Sequence, residues 1–270
     1  MWEWVRARNR AGEVSLSMVA LVVSLTAALA LGLSSWLPRV LARDIGIADV
    51  EPGLVEVAQG ARGVQSLGAG LSVTLYDRGF RVARSSTVLA DTVTGGSPVS
   101  AVLGRLGEVD GHPREHVEGA VSNARIDAVV RDGPAVEYSG VLFDDDQTVA
   151  LPLRIRFSPD DGRIRVEVEV PDADVDAVII HLDWQPATTG IAPALPERNL
   201  KERAFWVDPA VVDQPAFTWL LGTDVSIGPV EAPRAVDLRQ DGRIAIHVWS
   251  PNATVTVTDT PRETVSDSTP

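Results

Sequence analysis

The sequence predicts an all-β fold, a large antiparallel β-sandwich, carried behind a single N-terminal transmembrane helix. Three observations predict it. Between Leu71 and Thr258 apolar residues recur with a period of two, and turn-forming clusters interrupt them about every 8–12 residues. A helical period is almost absent from that region. Ahead of it, Val14 to Pro38 runs for 25 residues without one charged side chain.

The apolar run comes first. As a helix it is roughly 37 Å long, enough to cross a hydrocarbon core of about 30 Å with some tilt. Arg6, Arg8 and Arg10 precede it, so the positive-inside bias keeps residues 1–13 in the cytoplasm and puts the chain beyond Pro38 outside. Arg39 and Arg43 weaken that contrast without reversing it. Trp2, Trp4 and Trp36 suit the two interfacial aromatic belts. The competing reading is a cleaved signal peptide, since Ala28-Leu29-Ala30 has the small-x-small form of a cleavage site. The uncharged run continues past it through Leu31, Leu33 and Leu37, which favours an uncleaved anchor. Both readings export the remainder. The chain has no cysteine, so the exported part must be stable through its core alone.

Charge narrows the partners. The chain carries 24 Lys and Arg against 37 Asp and Glu, a net charge of −13. Three Arg and two Glu in the first 38 residues leave −14 for the exported part, which argues against nucleic acid and against adsorption to anionic headgroups.

Residues 39–69 are expected to form a connector or stalk, with some helix at 53–60, because Glu51-Pro52-Gly53 breaks any continuation of the anchor and scattered glycines leave no clean period. The sandwich is expected over 70–258. LSVTLY (71–76) and FRVAR (80–84) flank Asp77-Arg78-Gly79 as a hairpin, and TVLADTV (87–93) and VSAVLG (99–104) come next. Residues 105–116, RLGEVDGHPREH, are polar and predicted to be a loop. Val117–Arg131, Val136–Phe143 and Thr148–Phe157 are separated by Asp132-Gly133-Pro134 and Asp144-Asp145-Asp146. RIRVEVEV (163–170) alternates strictly, as a half-buried antiparallel strand must. DAVIIHLDW (176–184) closes this block. After an irregular segment at 186–203 come AFWV (204–207), FTWLLG (217–222), SIG (226–228), the hairpin AVDLR and RIAIHVW (235–249) and ATVTVT (253–258). Residues 259–270 have the composition of a disordered tail.

This order of segments resembles the N-terminal β-sandwich of family 31 α-glycosidases, a galactose-mutarotase-like supersandwich. The matching stretches are LSVTLYDRGFRVARSSTVLADT, RIRVEVEVPDADVDAVIIHLDW, FTWLLGTDVSIGP, AVDLR and IAIHVWSP, over roughly residues 68–258. Residues Pro196 to Arg203 stand where the family has a Leu-Arg/Lys-Gly-Arg element, but Glu202 replaces its glycine and the glycine-rich motif is missing. The family's catalytic aspartates lie in a barrel that would come after this region. The resemblance therefore implies a sandwich, and no glycosidase activity carries over with it.

Candidate chemistry is sparse. His181 and Asp183 point the same way on one strand with Trp184 beside them, and a sugar-binding or mutarotase-like site uses His, carboxylate and an aromatic platform; the bland reading is a sheet histidine beside a surface aspartate. Glu197, Arg198, Trp206 and Trp219 extend the tentative ligand-binding set, because sugars stack on indole and bond to charged planar groups. Core tryptophans are the commoner case. Asp172-x-Asp174-x-Asp176 lacks the glycine and terminal glutamate of a calcium loop, and four scattered histidines make no metal cluster. No Ser-His-Asp motif, P-loop or dinucleotide fingerprint is present, so no cofactor and no metal is expected. The leading expectation is a membrane-anchored, non-catalytic module that binds an envelope glycan or a partner envelope protein. Its rivals are a structural subunit of a surface assembly held by the apolar helix, and a mutarotase or glycoside-processing enzyme.

Overall fold

Alternation of apolar and polar residues lets each strand bury one face, and here two sheets bury those faces against each other. The computed structural model describes residues 46–77, 79–92, 95–183, 191–193, 204–207, 215–219, 223–239 and 243–259, with backbone only at 191–193, 215–219 and 223–224. The predicted anchor at 14–38 and the tail from 260 lie outside the described residues. Among those described, no helix is long and apolar enough to cross a membrane.

Nineteen strands occur among the described residues. The first five are β1 (Val55–Val57), β2 (Gly63–Gly68), β3 (Leu71–Tyr76), β4 (Gly79–Arg84) and β5 (Thr87–Thr92). Five long strands come next: β6 (Val99–Val109), β7 (His112–Val121), β8 (Asn123–Asp132), β9 (Ala135–Phe143) and β10 (Ala150–Asp160). Then come β11 (Arg163–Glu169), β12 (Ala177–Asp183), β13 (Ile191–Pro193), β14 (Ala204–Val207) and β15 (Pro215–Trp219). The last are β16 (Thr223–Gly228), β17 (Arg234–Leu238), β18 (Arg243–Val248) and β19 (Asn252–Asp259). One sheet has the order β1-β8-β9-β10-β11-β19-β16-β15-β13. The other runs β14-β17-β18-β12-β5-β4-β3-β2, and the β6–β7 hairpin joins it along β12. Among the described residues, only the β1–β8 pairing is parallel.

The expected all-β, antiparallel architecture holds, with three local corrections. Residues 105–116 are not a loop but the far half of the β6–β7 hairpin, turned at Asp110-Gly111, both with positive φ. Their polar composition reflects a hairpin arm with little to cover it. Val117–Arg131 is two strands, broken at Ser122 between β7 and β8. Residues 53–60, expected to contain helix, supply β1 and the start of a short 3-10 turn at Gln59–Ala61, and β2 extends the sheet beside β3. The expected stalk thus contributes strands to both sheets.

The interior is apolar and holds an aromatic cluster. Phe80 meets Tyr138 edge-on at 4.8 Å between ring centroids, and Phe157 lies 5.2 Å from Phe80 and 5.9 Å from Tyr138, so both sheets contribute. A cavity of about 40 Å³ beside Phe80, Ile155 and Ile180 has almost no polar wall, which marks a packing gap rather than a ligand site. The Tyr138 hydroxyl is buried without a hydrogen-bond partner among the described residues, and burial pushes its pKa up to about 12. Removing an unsatisfied buried hydroxyl removes a desolvation cost, so Tyr138→Phe is expected to stabilise the domain by about 1 kcal/mol, a rise of roughly 2–4 °C in Tm by calorimetry.

Candidate functional site

Strands buried on one face alternate, whereas β12 (AVIIHLD), β17 (RAVDL) and β18 (RIAIHV) are apolar or small at nearly every position. Such a pattern belongs to a sheet covered on both faces. The inner face carries Val178, Ile180, Ile244, Ile246 and Val236 into the main core. The outer face carries an unusual mixture. Cross-strand pairing places Ser100, Ile179, His247, Ala235 and Trp206 in one row, and His181, Ala245, Asp237 and Ala204 in the next.

This face is covered by the chain's own segment 46–53, which crosses it as a strap without regular secondary structure. Two apolar side chains seat it. Ile47 packs on Ala204, Ala235 and half-buried Trp206, and Val50 packs on Val102, Ala177, Ile179 and Ala245. The alanines leave room for them. Gly46 and Gly53 fix the two ends, because a side chain at either would collide with backbone: a Cβ on Gly46 would stand 2.3 Å from the Pro113 carbonyl, and one on Gly53 2.6 Å from that of Ser122.

Beneath the strap lies a buried polar cluster with three parts. The first is Glu115, whose side chain accepts from the Trp249 indole at 2.8 Å and the Ala48 amide at 3.0 Å and pairs with His247 Nδ1 at 2.9 Å. The second is Arg239, only 5 % exposed, which meets Asp237 at 3.2 Å, Asp49 at 2.6 Å and Glu51 at 2.6 Å, and donates to the Val50 carbonyl. Arg243 holds the other oxygen of Glu51. The third is His181, whose Nε2 lies 2.8 Å from the Ser100 hydroxyl. His247 Nε2 is buried and has no partner among the described residues.

Burial governs the charges. Burial alone raises the Glu115 pKa, but the His247 charge and the three hydrogen bonds outweigh it and bring the group below its usual 4.5. Burial, helped by the positive charges of His247, Arg239 and Arg243, holds His181 neutral, well below the ordinary 6.5. Both shifts depress the folded-state value. Each group's stabilisation is therefore complete above its unfolded pKa and is lost as pH falls toward its folded one. Thermal stability is expected to decline from about pH 6.5 downward through His181, by up to roughly 1.4 kcal/mol per pH unit, and again below pH 4.5 through Glu115. Melting curves between pH 8 and 4 check this, and His181→Asn should flatten the first decline.

The sequence-predicted residues are spread over both sheets. His181 is on the covered face, and Asp183 lies two residues along it, half-buried and opposite both Asp91 and Arg243. Trp206 shares that face. Trp219 is in β15, in the other sheet. Trp184, Glu197 and Arg198 lie outside the described residues. Ser100, Glu115, Asp237, Arg239 and Trp249 were not anticipated as neighbours of His181; the non-alternating strands were the available signal. The Asp172-Asp174-Asp176 segment is a hydrogen-bonded turn, with Asp172 accepting from the Asp174 amide and Asp176 from the Gly104 amide.

No protein-family model and no curated protein matches the sequence. Among solved structures, the chain is similar to a GH31-family sulfoquinovosidase from E. rectale in complex with an aza-sugar inhibitor, with a TM-score of 0.52 and 9 % identity over 70 % of this chain and 32 % of that one. The chain thus spans about a third of that protein's length. Slr1438 from Synechocystis matches at TM-score 0.40 and 9 % identity, over 78 % of this chain and 99 % of the other. A putative aldose 1-epimerase from Escherichia coli matches at TM-score 0.33 and 10 % identity, over 73 % and 98 %. The resemblance to the galactose-mutarotase-like β-sandwich holds at the level of fold.

Proposed function

We propose that the chain is a membrane-anchored, extracytoplasmic β-sandwich that acts by binding, without catalysis of its own. One observation supports this above the others. The acid–base groups that an enzyme reading would use, His181, His247 and Glu115, are committed to one another, to Ser100 and Trp249, and to a strap that covers them. A general acid or base has to reach its substrate. The uncharged stretch at 14–38 supports the anchor.

The ligand in this reading is an envelope glycan or a partner envelope protein, and Asp183, Trp184, Glu197 and Arg198 are its candidate contacts. Two measurements test it. Vesicle flotation and protease accessibility of the full chain should show a membrane-bound protein whose domain is cut only from the outer side. A glycan screen of detergent-solubilised full chain, with tryptophan emission as second readout, should give a selective hit that shifts the emission and is lost in Glu197→Ala. A folded protein with no glycan hit would move the ligand to the protein class. Turnover of a sugar substrate would overturn the reading.

A further inference from the structure

The outer half of the β6–β7 hairpin sorts its charges by face. Cross-strand pairing sets Arg105 opposite His116, Gly107 opposite Arg114 and Val109 opposite His112, and strand alternation turns these positions to one side. Contact agrees with the sorting, since a Cβ on Gly107 would stand 3.3 Å from Cδ2 of the His116 ring. Leu106, Glu108, Pro113 and Glu115 fall on the other side, where Glu115 lies beneath the strap. Asp110 occupies the turn, and Glu118 sits at the bulge nearer the base. Two arginines and two histidines thus share one face of the arm, and the carboxylates of Glu108 and Glu115 do not. Arg105 and Arg114 are diagonal neighbours there, close enough to repel, and an anionic partner offsets that repulsion. Arg105 is exposed, and Val109 at the tip is 43 % exposed.

The strap says what this face meets. The Gly46 carbonyl accepts from the Glu115 amide, and Gly46 lies against the backbone of Pro113 and Arg114, so the strap begins on the arm itself. Gly46 follows Pro38, the end of the uncharged stretch, by eight residues, which separate the two by at most about 28 Å when fully extended. That link carries Arg39 and Arg43 against Asp44. We propose that the β6–β7 arm is a membrane-docking element, its Arg105–Arg114 face lying on the anionic phosphate headgroups of the leaflet from which the chain emerges. The inference rests on the preceding reading that residues 14–38 are an anchor. The net charge of −14 disfavours adsorption from solution, but a tethered domain holds its near face at high local concentration, and the charge of that face then decides. Val109 adds an apolar contact at the tip.

Native cysteines are absent, so a single label can be placed without background. Full chains carrying Val109→Cys or Arg163→Cys are labelled with a fluorophore and reconstituted into vesicles containing a lipid with a nitroxide on its headgroup. Arg163 is the control position: it pairs with Asp160 near the far end of β8, the strand that leads away from the arm after β7. The vesicles are phosphatidylcholine alone or phosphatidylcholine mixed with phosphatidylglycerol. The proposal expects the Val109 label to be quenched well beyond the Arg163 label in the mixed vesicles, and less in phosphatidylcholine alone. Adding Arg105→Gln should lower the docked-to-undocked ratio about fivefold, Arg105→Lys should retain it, and high salt should weaken it by screening. It is overturned if the Val109 label is quenched no more than the control, if phosphatidylglycerol makes no difference, or if Arg105→Gln changes nothing. Flotation of the same vesicles separates the two readings. A chain that does not float removes the anchor and this proposal with it, whereas a floating chain with an unquenched Val109 label removes this proposal alone.

Discussion

Glu115→Ala is expected to be the most damaging single substitution on the outer face. It deletes the acceptor shared by His247, the Trp249 indole and the Ala48 amide, and it leaves an imidazole that is 1 % exposed without its partner at Nδ1. Leaving a buried donor without its acceptor costs about 1–3 kcal/mol, so losing three such contacts at once is expected to cost about 3–5 kcal/mol, because the remaining groups stay desolvated. A domain of this size is expected to lose on the order of 10 °C in Tm. Tryptophan emission should shift to the red as the Trp249 indole loses its partner and the strap lifts. Glu115→Gln keeps the shape and one acceptor, so it should recover part of the loss. An alanine variant that melts like the parent would mean the cluster carries no stability.

Phe157→Ala should be of similar size but of different kind. Phe157 is 2 % exposed and joins Phe80 and Tyr138 across the two sheets, next to an existing gap. Removing the ring enlarges that gap, and Phe-to-Ala substitutions of this type cost about 3–5 kcal/mol. The expected signature in chemical denaturation is a lower midpoint with an unchanged slope. The strap contacts should survive in the folded fraction, because they lie on the outer face of the other sheet. The two variants thus separate core packing from strap docking, and their double mutant should be close to additive.

These two regions also differ in how far the sequence revealed them. The inter-sheet core was legible because strands such as RIRVEVEV alternate, so Ile164 and Val168 fall inside and Arg163, Arg165 and Glu167 outside by parity alone. Hairpins marked by Asp77-Arg78-Gly79 and Asp132-Gly133-Pro134 were legible for the same local reason. The outer cluster was not. Its groups come from segments more than a hundred residues apart, as with Glu115 and Trp249, and no spacing rule connects them. Residues 46–53 looked like a stalk because their glycines and proline signal breakage; here the glycines permit close approach to backbone at Gly46 and Gly53. The clue in view was composition. AVIIHL and IAIHV carry too many apolar and small residues for a solvated outer face, and a cover had to be sought elsewhere in the chain. The β6–β7 hairpin was missed because its arm is polar on both sides, and period-two patterning fails where a hairpin packs little.

Docking of residues 46–53 on the outer face, in place of a free linker, is the central claim, and native-state hydrogen exchange of the full chain tests it most directly. The Ala48, Gly53 and Leu54 amides donate to Glu115, to the Ser122 carbonyl and to the Asn123 side chain. They are expected to exchange on the order of a hundredfold or more slower than an unstructured chain, as docked segments with appreciable opening energies do. Protection at Ala48 should collapse in Glu115→Ala while that of β12 and β18 persists. Exchange of all three amides at the unstructured rate in the parent protein would contradict docking, leaving the polar cluster open to solvent.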